Sequence, residues 1–261
     1  MKSIQNANIK KLGNGITLVT INDPKSYNSL STVTLKSLLN IFQKLDKDNS
    51  TKVIILEGSG NGFSAGHNLK EVKGLKKRSK YLSLFNLCSK LMMQIVNGKK
   101  PVIAKVHGAA YAAGCQLVAS CDLAYASSSA KFATPGVNIG LFCSTPMVAI
   151  SRNLSNKHSM EMLLTGELIS SDKAAKIGLI NDVIEINELK DFVLDRAQKI
   201  SKKSSVTLKI GKEAFYKQLD MKLSDAYDYA SKVMVQNMLK LDAKEGIDAF
   251  IDKREPNWKD K

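Results

Sequence analysis

Arginine is scarce in this chain. So are cysteine, proline, histidine and tryptophan: its 261 residues hold four cysteines, five prolines, three histidines and one tryptophan. Each shortage excludes something. Cys88, Cys115, Cys121 and Cys143 show no paired metal-ligand spacing, and a chain of this size needs no disulfide staples, so they read as reduced, mostly buried thiols in a reducing compartment. No metal site is expected. No apolar run approaches the roughly 18 residues needed to cross a bilayer. The opening "MKSIQNANIKKLGNG" lacks the apolar core of a secretory signal and holds no arginine to mark a transit peptide, which points to the cytoplasm and leaves the mitochondrial matrix open for a eukaryotic source. The formal net charge is +15, yet the arginines are only Arg78, Arg152, Arg196 and Arg254. Arginine reads phosphates and base edges through a two-pronged fork, whereas scattered lysines make a solvated surface that steers small anions. Dedicated nucleic-acid binding is therefore not expected.

What is present is ordinary globular composition, with 44% hydrophobic and 24% charged residues. Residues 8–22 read as two short strands around "LGNG". "DPKSYNSLS" ends the second strand and offers an N-cap, and "TVTLKSLLNIFQKLDKD" repeats apolar residues at helical spacing. "KVIILEGS" and "KPVIAKVHG" read as buried strands, "LAYASSSAKFATP" as a strand pair, and "STPMVAISRNLS" as a helix start. "GNGFSAGHNL" reads as a glycine-punctuated loop turning into a helix that runs with breaks to about Val96. This strand–turn–helix order persists to about residue 185 and predicts a parallel or mixed sheet with crossover helices. From Asn187 on the pattern is helical throughout. The expected division is a core at 1–186 and a helical oligomerisation region at 187–261, packed on the core or on a neighbouring subunit.

Two segments share one design. "GFSAGHNL" and "YAAGCQL" each follow a strand, pass through small residues and open a helix. At a helix start the first N–H groups are unpaired and the positive end of the dipole lies behind them. Two such ends facing one another would present converging donors to an oxyanion. Taken singly, each segment is equally a tight turn that needs small residues for close packing.

These segments, together with "LVTINDPKSYNSLS", "FATPGVNIGL", "LLTGELISSDKAAKIGLINDVI" and "EGIDAFIDKREPNW", resemble the enoyl-CoA hydratase/isomerase (crotonase) superfamily over nearly the whole chain. The resemblance implies the ClpP-like α/β crotonase fold, a spiral of ββα units with a helical C-terminal trimerisation region. It also implies self-association to trimers or dimers of trimers, and lyase or isomerase chemistry on a CoA thioester with no further cofactor. It puts oxyanion donors at the backbone N–H groups of His67 and Ala113. Lys25, Ser26 and Tyr27, with Ser64 and Ala65, would line the CoA groove, and Phe250 and Lys253 would reach a neighbour's CoA.

The pattern departs from the family where its hydratases place two glutamates. Gln116 stands at the first position and Gly136 at the second, and neither can act as a base. Gln116 keeps the shape and hydrogen-bonding capacity of a glutamate without its charge, or is simply satisfied against nearby backbone. Asn138 and Ser144 fall where related isomerases carry acidic groups, and the neighbouring Cys143 reads as an inert buried thiol. The imidazole of His67 resembles a histidine of a decarboxylase branch that acts on methylmalonyl-CoA, where loss of carbon dioxide makes an enolate without a strong base. Three readings stand side by side: an acyl-CoA enzyme working through a stabilised enolate, with a malonyl- or methylmalonyl-CoA decarboxylase as one form; a CoA-thioester binder without turnover; and an RNA-associated member of the fold. The short basic cluster "KGLKKRSK", residues 73–80, reads as an exposed loop over the CoA mouth.

Overall fold

A computed structural model describes residues 2–261, with side-chain burial from residue 5 onward; Met1 lies outside the described residues. The strands, in chain order, are β1 (Lys2–Ile4), β2 (Ala7–Gly13), β3 (Ile16–Ile21), β4 (Val53–Gly58), β5 (Gly62–Ser64), β6 (Val102–Val106), β7 (Ala109–Tyr111), β8 (Leu123–Ser127), β9 (Lys131–Ala133), β10 (Ile169–Ser170) and β11 (Asp182–Ile184). The helices are α1 (Thr32–Lys47), α2 (Leu69–Gly74), α3 (Arg78–Asn97), α4 (Ala113–Ala119), α5 (Ser144–Ile150), α6 (Asn156–Thr165), α7 (Ser171–Lys176), α8 (Leu189–Ser201), α9 (Ser205–Gln218), α10 (Leu223–Met238) and α11 (Leu241–Ile251). Short 3-10 turns cover Pro24–Ser26 and Pro135–Ile139.

Local chemistry explains the early elements. Asn14 and Gly15 both take positive φ, at 49° and 76°. That is the two-residue hairpin loop whose twist matches paired strands, and it joins β2 to β3 in antiparallel register. The Ser31 side chain accepts from Thr34 N and caps α1. Leu35, Leu38, Phe42 and Leu45 then recur at helical spacing and are buried on its inner face.

The strands form two sheets. The larger runs β1-β2-β3-β4-β6-β8-β11 and the smaller β10-β9-β7-β5. From β3 to β11 the larger sheet is parallel, as is β5-β7-β9 in the smaller. The chain therefore climbs in repeated steps: β4 to β5, β6 to β7 and β8 to β9 each leave the large sheet for the small one before a helix returns. "LAYASSSAKFATP" holds two strands, but they pair with different sheets instead of with each other. The small sheet was hidden because its strands are only two or three residues long and sit inside segments that read as loops.

Each face of the large sheet carries its own core. On one side Val19, Ile21, Leu56, Ala104 and Val106 pack with α1 and α3. On the other, Ile16, Val53, Ile55, Ile103 and Tyr125 pack beneath Leu189, Val193 and Ala197 of α8. Within the helical stretch expected at 187–261, α8 packs on the core, because without it this face of the sheet would be wet. The outlying helices begin at α9, in which, as in α10, no residue is buried. A polar fastening holds α9 to the core. Lys212 Nζ, with a side chain only 7% exposed, donates to Asp122 Oδ2 (2.6 Å), Ile95 O (2.8 Å) and Lys100 O (3.0 Å), and Tyr216 donates to Asp122 Oδ1 (3.0 Å).

Candidate active site

The two small-residue loops meet. β5 runs into residues 65–68 and then α2; β7 runs through Ala112 into α4. A Cβ on Gly114 would lie 2.2 Å from Ser64 O, and one on Gly66 would lie 2.8 Å from Tyr111 O and 3.0 Å from Ala113 N. The loops touch backbone to backbone, which only glycine permits. Gly66 also has φ +85°. Ala112 is a non-glycine residue at φ 48°, ψ −116°, a conformation that stores strain and persists only where the surroundings enforce it. It turns the chain so that Ala113 opens α4. Among the described residues, the backbone hydrogen bonds leave the N–H groups of His67 and Ala113 without an acceptor.

A buried asparagine holds the first loop in place. Asn28 Oδ1 accepts from Asp23 N (3.0 Å), and its Nδ2 donates to Ser59 O (2.7 Å) and Gly62 O (2.8 Å). Ser64 Oγ donates to Asn28 O (2.9 Å) and accepts from Gly66 N (3.3 Å), while Ala65 N donates to Tyr27 O (2.9 Å) and Leu30 N to Gly66 O (2.7 Å). The helix that follows the first loop starts just past His67. Asn68 is the cap of α2, its side chain accepting from Lys70 N and Glu71 N, so the His67 N–H precedes the helix and the dipole of a six-residue helix lies behind a capped end. Ala113 alone of the pair is a first helical residue.

These amides border a cleft of about 470 Å³. Ala65, His67, Ala112 and Ala113 supply one wall; Leu69, Val72 and Phe85 come from α2 and α3; residues 135–146 close the rest. No aspartate, glutamate, lysine or arginine lines it. His67 Nδ1 lies 3.2 Å from Leu30 O, and since a carbonyl only accepts, Nδ1 carries the proton. Nε2 is then a bare lone pair, buried without a partner, with the Phe85 ring edge-on at 5.4 Å. Burial lowers the imidazole's pKa, so it is neutral at physiological pH, opposed more weakly by the Leu30 contact and the Glu71 charge. Glu71 itself is engaged, accepting from Thr32 N at 2.9 Å.

Residues 11–261 match the family model described as enoyl-CoA hydratase/isomerase. The chain belongs to the enoyl-CoA hydratase/isomerase family. It is 46% identical to the mitochondrial enoyl-CoA hydratase domain-containing protein 3 of Rattus norvegicus over 244 residues, covering 94% of this chain and 81% of that one. It superposes on the crystal structure of the human protein of that name with a TM-score of 0.94 at 45% identity, covering 97% of this chain and all of the other. A Mycobacterium smegmatis enoyl-CoA hydratase structure gives 0.95 at 42% identity, covering 97% and 98%. The fold is the crotonase fold.

Within this family member the expected site residues separate into groups. Ala65, His67, Ala113, Gly136, Asn138 and Ser144 all line the cleft. Gln116 does not: it is 3% exposed on α4 and faces away from the lining, with its Oε1 3.9 Å from the Cys88 thiol. Among the described residues this thiol is the one hydrogen-bond partner of the side chain, and no backbone group bonds to it. Gly136 lacks room for a side chain. A Cβ there would sit 2.4 Å from Leu141 O and 2.9 Å from Cys143 Sγ, and Leu141 N donates to Gly136 O at 2.9 Å. The 136–143 loop has closed over the place a side chain would need. Ser144 is exposed, its Oγ donating to Phe142 O at 3.3 Å. Burial raises the Cys143 thiol, which leaves it a poor nucleophile.

Of the expected CoA-groove residues, Ala65 lies in the lining and the other four adjacent to the first loop lie outside it. Lys25, Ser26 and Tyr27 stand on the 3-10 turn that Ala65 N joins through Tyr27 O, with Lys25 and Tyr27 exposed. Ser64 is fully buried and committed to the loop bonds above, so it positions the loop and offers nothing to a ligand. Phe250 and Lys253 lie at the far end of α11, Phe250 being 85% exposed. Sequence reasoning missed the apolar walls Leu69, Val72, Phe85, Ile139, Leu141 and Phe142, and it missed Asn28, whose "SYNS" context carried no periodic signal. Among the described residues no helix is long and apolar enough to cross a membrane, and no group of three or more His, Cys, Asp or Glu side chains is placed to hold a metal.

Proposed function

We propose that this chain binds a CoA thioester with an uncharged acyl group, setting the carbonyl oxygen on the N–H groups of His67 and Ala113, and works through the enolate that this pair stabilises, the α-proton passing to the unpartnered Nε2 of His67. One observation carries the reading: two unpartnered amides, held by backbone-to-backbone contact at Gly66 and Gly114, open into a cleft lined without a carboxylate. Preorganised donors aimed at a developing oxyanion are each worth about 3 kcal/mol. Hydration by paired glutamates is not available to these residues, so efficient addition of water to 2-enoyl-CoA is not part of the proposal. A malonyl-type substrate would bring its carboxylate into a wall of neutral groups, with His67 held unprotonated and no cation in the lining. That counts against the decarboxylase reading.

The exposed apolar residues of α9–α11, among them Phe215, Leu223, Tyr227, Met234 and Phe250, form the surface we assign to contacts between copies, in trimers or dimers of trimers. Phe250 and Lys253 would then meet a neighbour's CoA. The mitochondrial relative and the four free thiols support a reducing compartment, the cytoplasm or the mitochondrial matrix. The test is exchange of the α-protons of butyryl-CoA in deuterated buffer, followed by mass spectrometry, beside hydration of crotonyl-CoA. Exchange above the rate of an Ala112→Pro control, with negligible hydration, is expected. Absence of exchange reduces the chain to a thioester binder; hydration at the rate of a two-glutamate enzyme refutes the account of Gln116 and Gly136.

A further inference from the structure

Resting on the thioester reading above, we infer that the cleft selects acyl-CoA thioesters of medium chain length, about 8–12 carbons, over the four-carbon chain. The cleft encloses about 470 Å³. A methylene takes roughly the share of liquid volume of a water, about 30 Å³, so the space holds about 15 heavy atoms. The thioester and the first atoms of the pantetheine arm use about five of these, leaving room for about ten carbons.

The walls agree with the volume. Leu69, Ile139 and Leu141 are 56%, 56% and 52% exposed, and Phe142 is 42% exposed. With Val72 and Phe85 they line one continuous space beside the two amides. Isolated apolar residues on a surface need no explanation, but a contiguous set converging on a cavity marks a binding surface. A butyryl chain would leave most of this set wet. A chain twice as long would cover it, each buried methylene tightening binding by up to about fourfold. The occupant is an uncharged hydrocarbon, because the described lining offers no ionised partner: its polar side chains are the neutral His67, Asn138, Cys143, Ser144 and Thr145 among apolar walls.

Calorimetric titration of the 261-residue chain with free CoA, butyryl-CoA, decanoyl-CoA and palmitoyl-CoA, each acyl-CoA below its micelle concentration, tests this. Decanoyl-CoA is expected to bind at least tenfold tighter than butyryl-CoA, with no further gain for palmitoyl-CoA. Ile139→Asp, at an exposed position, is expected to weaken decanoyl-CoA at least tenfold and by a larger factor than butyryl-CoA; Leu141→Asp serves the same end. Equal affinity for all three thioesters, each above free CoA, overturns the chain-length inference and leaves the site reading intact. So does a further gain for palmitoyl-CoA, or a folded aspartate variant with unchanged decanoyl affinity. Thioesters that bind no better than free CoA overturn the site reading itself.

Discussion

Replacing Gly114 by alanine sets two physical effects against each other, and the structure decides the sign. Gly114 lies inside α4 without a positive φ. On helix propensity alone, alanine there should stabilise the protein by about 1 kcal/mol. The new Cβ, however, would sit 2.2 Å from Ser64 O and 2.9 Å from Ser64 C. An ordinary carbon–oxygen contact is about 3.3 Å, so one loop must retreat by about 1 Å, and backbone cannot yield by changing rotamer as a side chain can. Overpacking of this kind costs about 1–3 kcal/mol or more, which outweighs the propensity gain. Net destabilisation of about 1–2 kcal/mol lowers the melting temperature by about 2–8 °C in a chain of this size. The same retreat separates Ala113 from the His67 loop, so the preference for thioester over free CoA should fall together with stability, and α-proton exchange should fall by about 100-fold. Gly211, inside α9 with nothing within 4 Å of its would-be Cβ, is the matched control: its alanine variant should be neutral or more stable. Scanning calorimetry and thioester titration of both variants decide the matter. A Gly114→Ala protein as stable as wild type, still preferring butyryl-CoA to CoA, would refute the argument that backbone contact sets the amide pair.

Three further outcomes follow from the same geometry. Gly136→Glu should not restore hydration of crotonyl-CoA and should lower stability, because the first carbon of the side chain would meet Leu141 O at 2.4 Å; a gain in hydratase rate would show that the loop reopens readily. Asn28→Ala removes an acceptor and two donations from a fully buried side chain and leaves three backbone groups unpaired, so urea unfolding should show a loss of about 3 kcal/mol, with a loss below about 1 contradicting its role. His67 has a depressed pKa when folded, so the unfolded chain binds more protons below its ordinary value of 6.5. Its contribution is complete above that pH and is lost as pH falls through 6.5 toward the lower folded value. The pH dependence of stability should therefore flatten in His67→Asn over this window, and an unchanged slope would place the titration elsewhere.

The order of strands and helices was legible because it rests on local periodicity and turn chemistry. "NG" between alternating apolar runs makes the β2–β3 hairpin, and Leu35, Leu38, Phe42 and Leu45 write the buried face of α1. The family could also be read, since several ordered motifs hold their spacing along nearly the whole chain. The small sheet was not legible. Strands such as Gly62–Ser64 and Ala109–Tyr111 are shorter than any period they could display. Nor was the role of α8, whose apolar residues look like any amphipathic helix until a sheet face is seen beneath them.

The sequence by itself determined what residues 116 and 136 can offer: one is a glutamine and the other a glycine, and no arrangement of the chain turns either into a base. Only the tertiary structure decided where those residues stand. It turned Gln116 toward Cys88, drew Leu141 into the space beside Gly136, and brought residues 66 and 114 against backbone from the opposite loop. The reason is physical: side-chain chemistry is carried by each residue alone, whereas a cavity and a backbone-to-backbone contact between loops exist only between segments that meet after folding.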